Sequence, residues 1–191
     1  TDVAVLWNLG WAYYVSGDFE KAIETTRRAL AIDETQVGLQ FNLGLMQLAK
    51  GDLDVAQKTY MAGLDQATQQ VTDARTLNKQ PPASLWWYLD TAALDLDHYR
   101  QCLTAAICDG APPIDALHIT AETQSATEQI RLQIKNMAVA LEYLGQPSNE
   151  PLQASVEALQ VATIVQEAPQ PTDRRTSRLT GAQVQSQQGE N

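Results

Sequence analysis

Residues 8–18, NLGWAYYVSGD, and residues 42–52, NLGLMQLAKGD, share their first three and last two letters at an offset of 34. Moving outward at that offset, Phe19 falls on Leu53, Ala22 on Ala56, and Ala29-Leu30 on Gly63-Leu64. A period of this length marks a helical hairpin written twice, each copy too small to bury its apolar face alone. Gly17 and Gly51 suit left-handed helix ends, and Asp18 and Asp52 directly after them suit N-caps. Each copy therefore reads helix, tight turn, helix. Gly10 and Gly44 sit inside the first helix of each copy, where glycine costs about 1 kcal/mol against alanine, so a partner helix must come close there. Asp33, with Gln36 three residues later, reads as the start signal of the second copy.

These positions resemble the tetratricopeptide repeat family, whose pattern runs W-x2-L-G-x2-Y, then G-x-Y-x2-A. The first copy carries Leu6 in the Trp place, then Leu9, Gly10, Tyr13, Gly17, Phe19, Ala22 and Ala29. The second carries Leu43, Gly44, Gly51, Leu53, Ala56, Tyr60 and Gly63. Glu34 stands where the pattern has proline, Thr26 where it has an aromatic, and Gln47 where it has tyrosine. The resemblance covers residues 3 to about 70 and implies an all-α, solenoid-like fold.

Two hairpins fall short of the three or so repeats a solenoid needs, so the rest of the chain is expected to cover them. The sequence divides into two hairpins over 3–80, a three-helix extension over 81–168 and a glutamine-rich, low-complexity tail over 169–191. The helix after Asp52 runs without a breaker toward Asn78, and Pro81-Pro82 ends it. A helix from Ala83 to Ile107 carries Leu85, Leu89, Ala92, Leu96 and Leu103 mostly on one side. After a break at 109–113 comes a long helix with Ile130, Ile134, Met137, Leu141 and Leu144, closed by Gly145 and Pro147. A last helix is expected from Asn149, with Pro151 near its first turn. No strand is read anywhere.

The 191 residues carry 13 bases and 23 acids, a formal charge of −10 that repels a phosphate backbone and excludes nucleic acid as the expected partner. Residues 81–168 are the most acidic part, with three bases and eleven acids. Cys102 and Cys108, six apart in a stretch read as helix, point about 240° apart and are not expected to bridge; so few cysteines fit a reducing compartment, and a cytoplasmic location is the expectation. No apolar run reaches the roughly 20 residues of a membrane span. The chain starts at Thr1 rather than Met, which reads as a processed chain or an excised fragment.

The resemblance implies that the first helix of each copy lines a concave groove. On that basis Trp7, Asn8, Trp11 and Tyr14 of the first copy, with Phe41, Asn42, Leu45 and Leu48 of the second, form the expected partner-binding surface. Trp7, Trp11 and Tyr14 follow i, i+4, i+7 spacing, and Phe41, Leu45 and Leu48 repeat it 34 residues later. Family members that clamp an acidic terminus use bases there, and here the bases are missing. The expected partner is thus a protein or peptide offering an apolar helix or extended segment, with the asparagines bonding its backbone and the rings supplying area. An aromatic stripe is also what a core looks like, so the chain's own later helices are the alternative occupant.

Trp86, Trp87 and Tyr88 cannot all face one core, because successive helix positions lie about 100° apart. Trp86 and Trp87 are candidate secondary contacts, as are Arg174, Arg175 and Arg178 in the tail. Asp95, His98 and Cys102 have helical spacing for metal ligation but lack a fourth ligand, and His118 with Glu122 reads as a surface pair. No phosphate loop or nucleophile motif is present, so neither enzymatic activity nor a cofactor is expected. The functional expectation is an adaptor or scaffold. Its alternatives are a structural subunit of a larger, even membrane-associated, assembly and a regulatory domain of a longer polypeptide.

Overall fold

Two hairpins begin the chain, α1 (Val3–Val15) with α2 (Phe19–Leu30) and α3 (Val37–Lys50) with α4 (Leu53–Thr76). They are followed by α5 (Ala83–Cys102), a single 3₁₀ turn at Ile114–Ala116, and α6 (Ala121–Gly145). This computed structural model describes residues 2–104 and 112–145, and all regular structure among them is helical.

The two hairpin turns are built alike. The Gly17 N–H donates to the Tyr14 carbonyl and the Asp18 N–H to Tyr13; 34 residues on, the Gly51 N–H donates to Leu48 and the Asp52 N–H to Gln47. This paired closure needs a left-handed residue, and both glycines supply it, at φ 80° and 96°. Asp18 then caps α2, accepting from the Lys21 N–H and pairing with the Lys21 ammonium at 2.6 Å, a bond that holds its carboxyl below the ordinary range. Asp52 holds the same position on α4 without a side-chain cap bond, and its carboxylate lies 3.5 Å from Lys50 instead.

The interior glycines are pressed as expected. A Cβ on Gly10 would come within 2.6 Å of Thr26 Oγ1, and one on Gly44 within 2.7 Å of the Tyr60 ring. Thr26 and Tyr60 are themselves 34 apart, so the two hairpins close through equivalent contacts. Asp33 acts differently from the expectation. α3 starts at Val37 behind Gln36, and Asp33 shapes the preceding turn by accepting from the Thr35 N–H and hydroxyl and from Gln36 Nε2. α4 ends on Asn78 in the left-handed region, with the Lys79 N–H donating to Ala74 and the Asn78 N–H to Arg75.

α5 lies along α3, and α6 covers both α5 and α4. Phe41, Leu45 and Leu48 of α3 join Tyr60 and Leu64 of α4, Leu85, Leu89 and Leu96 of α5, and Ile130, Ile134, Leu141 and Leu144 of α6 in one core. The Tyr99 hydroxyl donates to the Leu48 carbonyl, tying α5 to the end of α3. Between α5 and α6 the chain crosses both hairpin turns. Pro113 and Ala116 touch Gly17, the His118 ring lies on Gly51, and the His118 N–H donates to the Ala49 carbonyl. That placement, rather than a pair with Glu122, is what His118 does. Thr120 opens α6 by accepting from the Thr123 N–H.

All three bases of the acidic extension meet at the α5–α6 seam. Asp97 lies 3.3 Å from Arg131, 3.0 Å from Lys135 and 3.7 Å from Arg100, and Glu128 pairs with Arg131 at 2.6 Å. The remaining carboxylates of α5 and α6 are left without a base from their own helices.

α5 ends at Cys102 rather than at the expected Ile107. Cys102 is fully buried and disulfide-bonded, which overturns the expectation of an unbridged thiol. Cys108 lies outside the described residues, as do the helix expected from Asn149 and the tail with Arg174, Arg175 and Arg178. Disulfides belong to oxidising compartments, so the cysteines no longer support a reducing one. Among the described residues no helix is long and apolar enough to cross a membrane.

Candidate functional site

The inner faces of α1 and α3 meet α5 in a cleft of about 220 Å³. α1 contributes Trp7, Asn8 and Trp11; α3 contributes Phe41 and Asn42. From α5 come Trp87, Tyr88, Thr91 and Asp95. Gly38, at the start of α3, lets the far edges of Trp7 and Tyr88 come together over its backbone, their ring centroids 5.7 Å apart. Trp87 stands edge-on to Tyr88 at 5.3 Å and is 60% exposed. Asn8 and Asn42 are spaced by one repeat, Asn8 exposed and Asn42 half-buried.

The expected stripe is thus divided. Trp7, Asn8, Trp11 and Asn42 border the open cleft, whereas Tyr14, Phe41, Leu45 and Leu48 are 0–3% exposed. Phe41 reaches the cleft only with its edge; it stacks on Tyr60 at 6.0 Å and lies against Gly63. Tyr14 packs between Trp11 and Phe19, at 5.0 and 6.0 Å. The reason is α5, whose apolar side lies on α3 and fills the lower half of the groove. The chain occupies part of its own groove and leaves the upper, ring-walled part open.

Asp95 was visible in the sequence only as a metal-ligand candidate. It borders the cleft, and among the described residues it makes no hydrogen bond or salt bridge; its charged neighbour is His98, one turn on. Burial pushes its carboxyl up to about 6, with His98 acting in the opposite direction. Burial also holds the Tyr14 and Tyr60 phenols far above their ordinary value, and the nearby Asp95 charge adds to that. Asp95 and Tyr88 were missed because their role depends on α5 returning to α3, a long-range contact without a local signal. The disulfide removes Cys102 as a metal ligand, and no group of three or more ligand-type residues is assembled among the described residues.

A second concavity of about 810 Å³ lies between α5 and α6, away from the repeats. Trp86, Leu89, Ala93 and Ile134 line it, and Leu94 and Val139 are 65% and 69% exposed at its rim. Trp86 therefore faces this side, in contact with Gly145, while Trp87 faces the aromatic cleft. The three consecutive aromatics of α5 serve different surfaces, as their 100° steps require.

Residues 3–36 match the family model described as Tetratricopeptide repeat. No curated protein and no solved structure matches the chain.

Proposed function

We propose, from the premise that residues 3–36 are a tetratricopeptide repeat, that this protein is a non-catalytic adaptor that holds a segment of another polypeptide in the α1–α3–α5 cleft. Such repeats serve protein–protein interaction in general; the use of this cleft is our reading. The observation that carries it is the open, ring-walled cleft with Asn8 and Asn42 one repeat apart, a combination of hot-spot residues and backbone-bonding amides. Its size favours an extended segment over a helix. A helix about 10 Å across needs several hundred Å³ for two turns, more than the 220 Å³ that α5 leaves open.

The test is a photo-crosslinking amino acid placed at position 87, at the cleft rim, or at position 28, on α2 away from it. The reading expects position 87 to capture a discrete polypeptide and position 28 to capture none. Equal yields from both positions would contradict it. The second reading, a structural subunit, draws support from the burial of Phe41, Leu45 and Leu48 under α5. It expects the main crosslinks on the acidic α5–α6 side, from position 94 or 139.

A further inference from the structure

An adaptor cleft of rings and amides would bind apolar segments with little discrimination. This one contains a carboxylate, Asp95, the one acidic or basic residue in its lining. Removing a carboxylate from water without pairing it is costly, and the usual remedy is a nearby base. Here the bases of the extension, Arg100, Arg131 and Lys135, are all committed to Asp97 and Glu128 at the other seam, and the opposing charge beside Asp95 comes from His98, one turn along α5 and outside the cleft lining. Trp7, Trp11, Trp87 and Tyr88 surround the opening, and ring faces attract cations as well as apolar stems.

Resting on the adaptor reading above, we propose that the cleft accepts a lysine or arginine side chain of the bound segment, its stem along the tryptophans and its charged end on Asp95. Charge complementarity selects this occupant over an acidic or purely apolar one: the chain is formally −10, and no base borders the cleft. About 220 Å³ is roughly seven water volumes, enough for one long side chain and some of its hydration. Asn8 and Asn42 are then left to bond the backbone on either side of the inserted residue.

The experiment is selection of a random twelve-residue peptide library against the full chain at about 0.15 M salt, where charges farther apart than about 8 Å are largely screened. Three variants follow: Asp95→Asn, the charge-matched control Asp90→Asn outside the cleft, and Trp11→Ala with Trp87→Ala. The expected result is peptides carrying a common Lys or Arg, bound at least about tenfold more weakly by Asp95→Asn and by the tryptophan variant, and unchanged by Asp90→Asn. Selected peptides that need the tryptophans but are indifferent to Asp95→Asn would overturn the cation assignment and leave the adaptor reading standing. Failure to select any tryptophan-dependent peptide would overturn the adaptor reading itself. A synthetic peptide of residues 170–181, which carries Arg174, Arg175 and Arg178, serves as competitor. If it binds more tightly than every selected peptide, the occupant is the chain's own tail and assignment to a partner fails.

Discussion

Gly44 shows how a single position joins propensity to packing. Alanine there gains about 1 kcal/mol of helix propensity, but its methyl would lie 2.7 Å from a Tyr60 ring that is 1% exposed and cannot swing aside. Gly44→Ala is therefore expected to lower stability by a net 1–3 kcal/mol or so in urea unfolding, with helix content retained below the transition. Gln47 stands where the repeat pattern has tyrosine and is 2% exposed, and among the described residues its Oε1 has no hydrogen-bond partner. Gln47→Met keeps the length and removes the buried carbonyl, so the same measurement should show a gain of about 1 kcal/mol. Asp95 works against the fold. Its folded pKa is raised from 3.8 to about 6, so the native state binds the proton more tightly than the unfolded chain. Stability should then fall as pH rises from about 4 to 6, by roughly 2–3 kcal/mol, and stay low above that. The groups whose charge it feels or affects are His98 on α5, Tyr14 on α1 and Tyr60 on α4, and the phenols stay protonated across this range. Asp95→Asn is expected to flatten that decline and to raise the melting temperature at pH 7.5. A residue that costs stability, with only His98 as an opposing charge beside it among the described residues, is a candidate for function.

At the scale of the element, the hairpins were legible because their determinants are local. Turn glycines, the Asp18 cap and the Gly10–Thr26 and Gly44–Tyr60 contacts are all local, and the structure repeats the glycine turns and the close contacts one unit on, though not the cap bond. The ends of α3 and α5 were less so. Asp33 binds its own turn rather than capping a helix, and α5 stops at Cys102 although its apolar pattern continues. The α5–α6 seam was not legible at all, because an acidic composition does not say which carboxylates face which bases. Arg131 is the least exposed base in that network, at 13%, and bonds Glu128 through both Nε and an Nη nitrogen. Arg131→Met should cost about 1–2 kcal/mol in dilute buffer, and the difference should shrink in 1 M salt.

At the scale of the whole molecule, α5 determines how much of the groove can act. A periodic apolar face declares that a helix will be covered but not by what, so the stripe from Trp7 to Leu48 was legible while its division was not. Half became core under α5, and the other half gained Trp87, Tyr88 and Asp95 from the same helix. On the proposed function, this residual cleft, and not the broader concavity between α5 and α6, holds the partner. The most direct measurement is calorimetric titration of the polypeptide captured at position 87 onto two double variants, Trp11→Ala with Asn42→Ala in the cleft, and Leu94→Ala with Val139→Ala on the α5–α6 rim. Affinity is expected to fall about tenfold for the first, with circular dichroism unchanged, and to match wild type for the second. Wild-type affinity in the cleft variant, with loss in the rim variant, would contradict it.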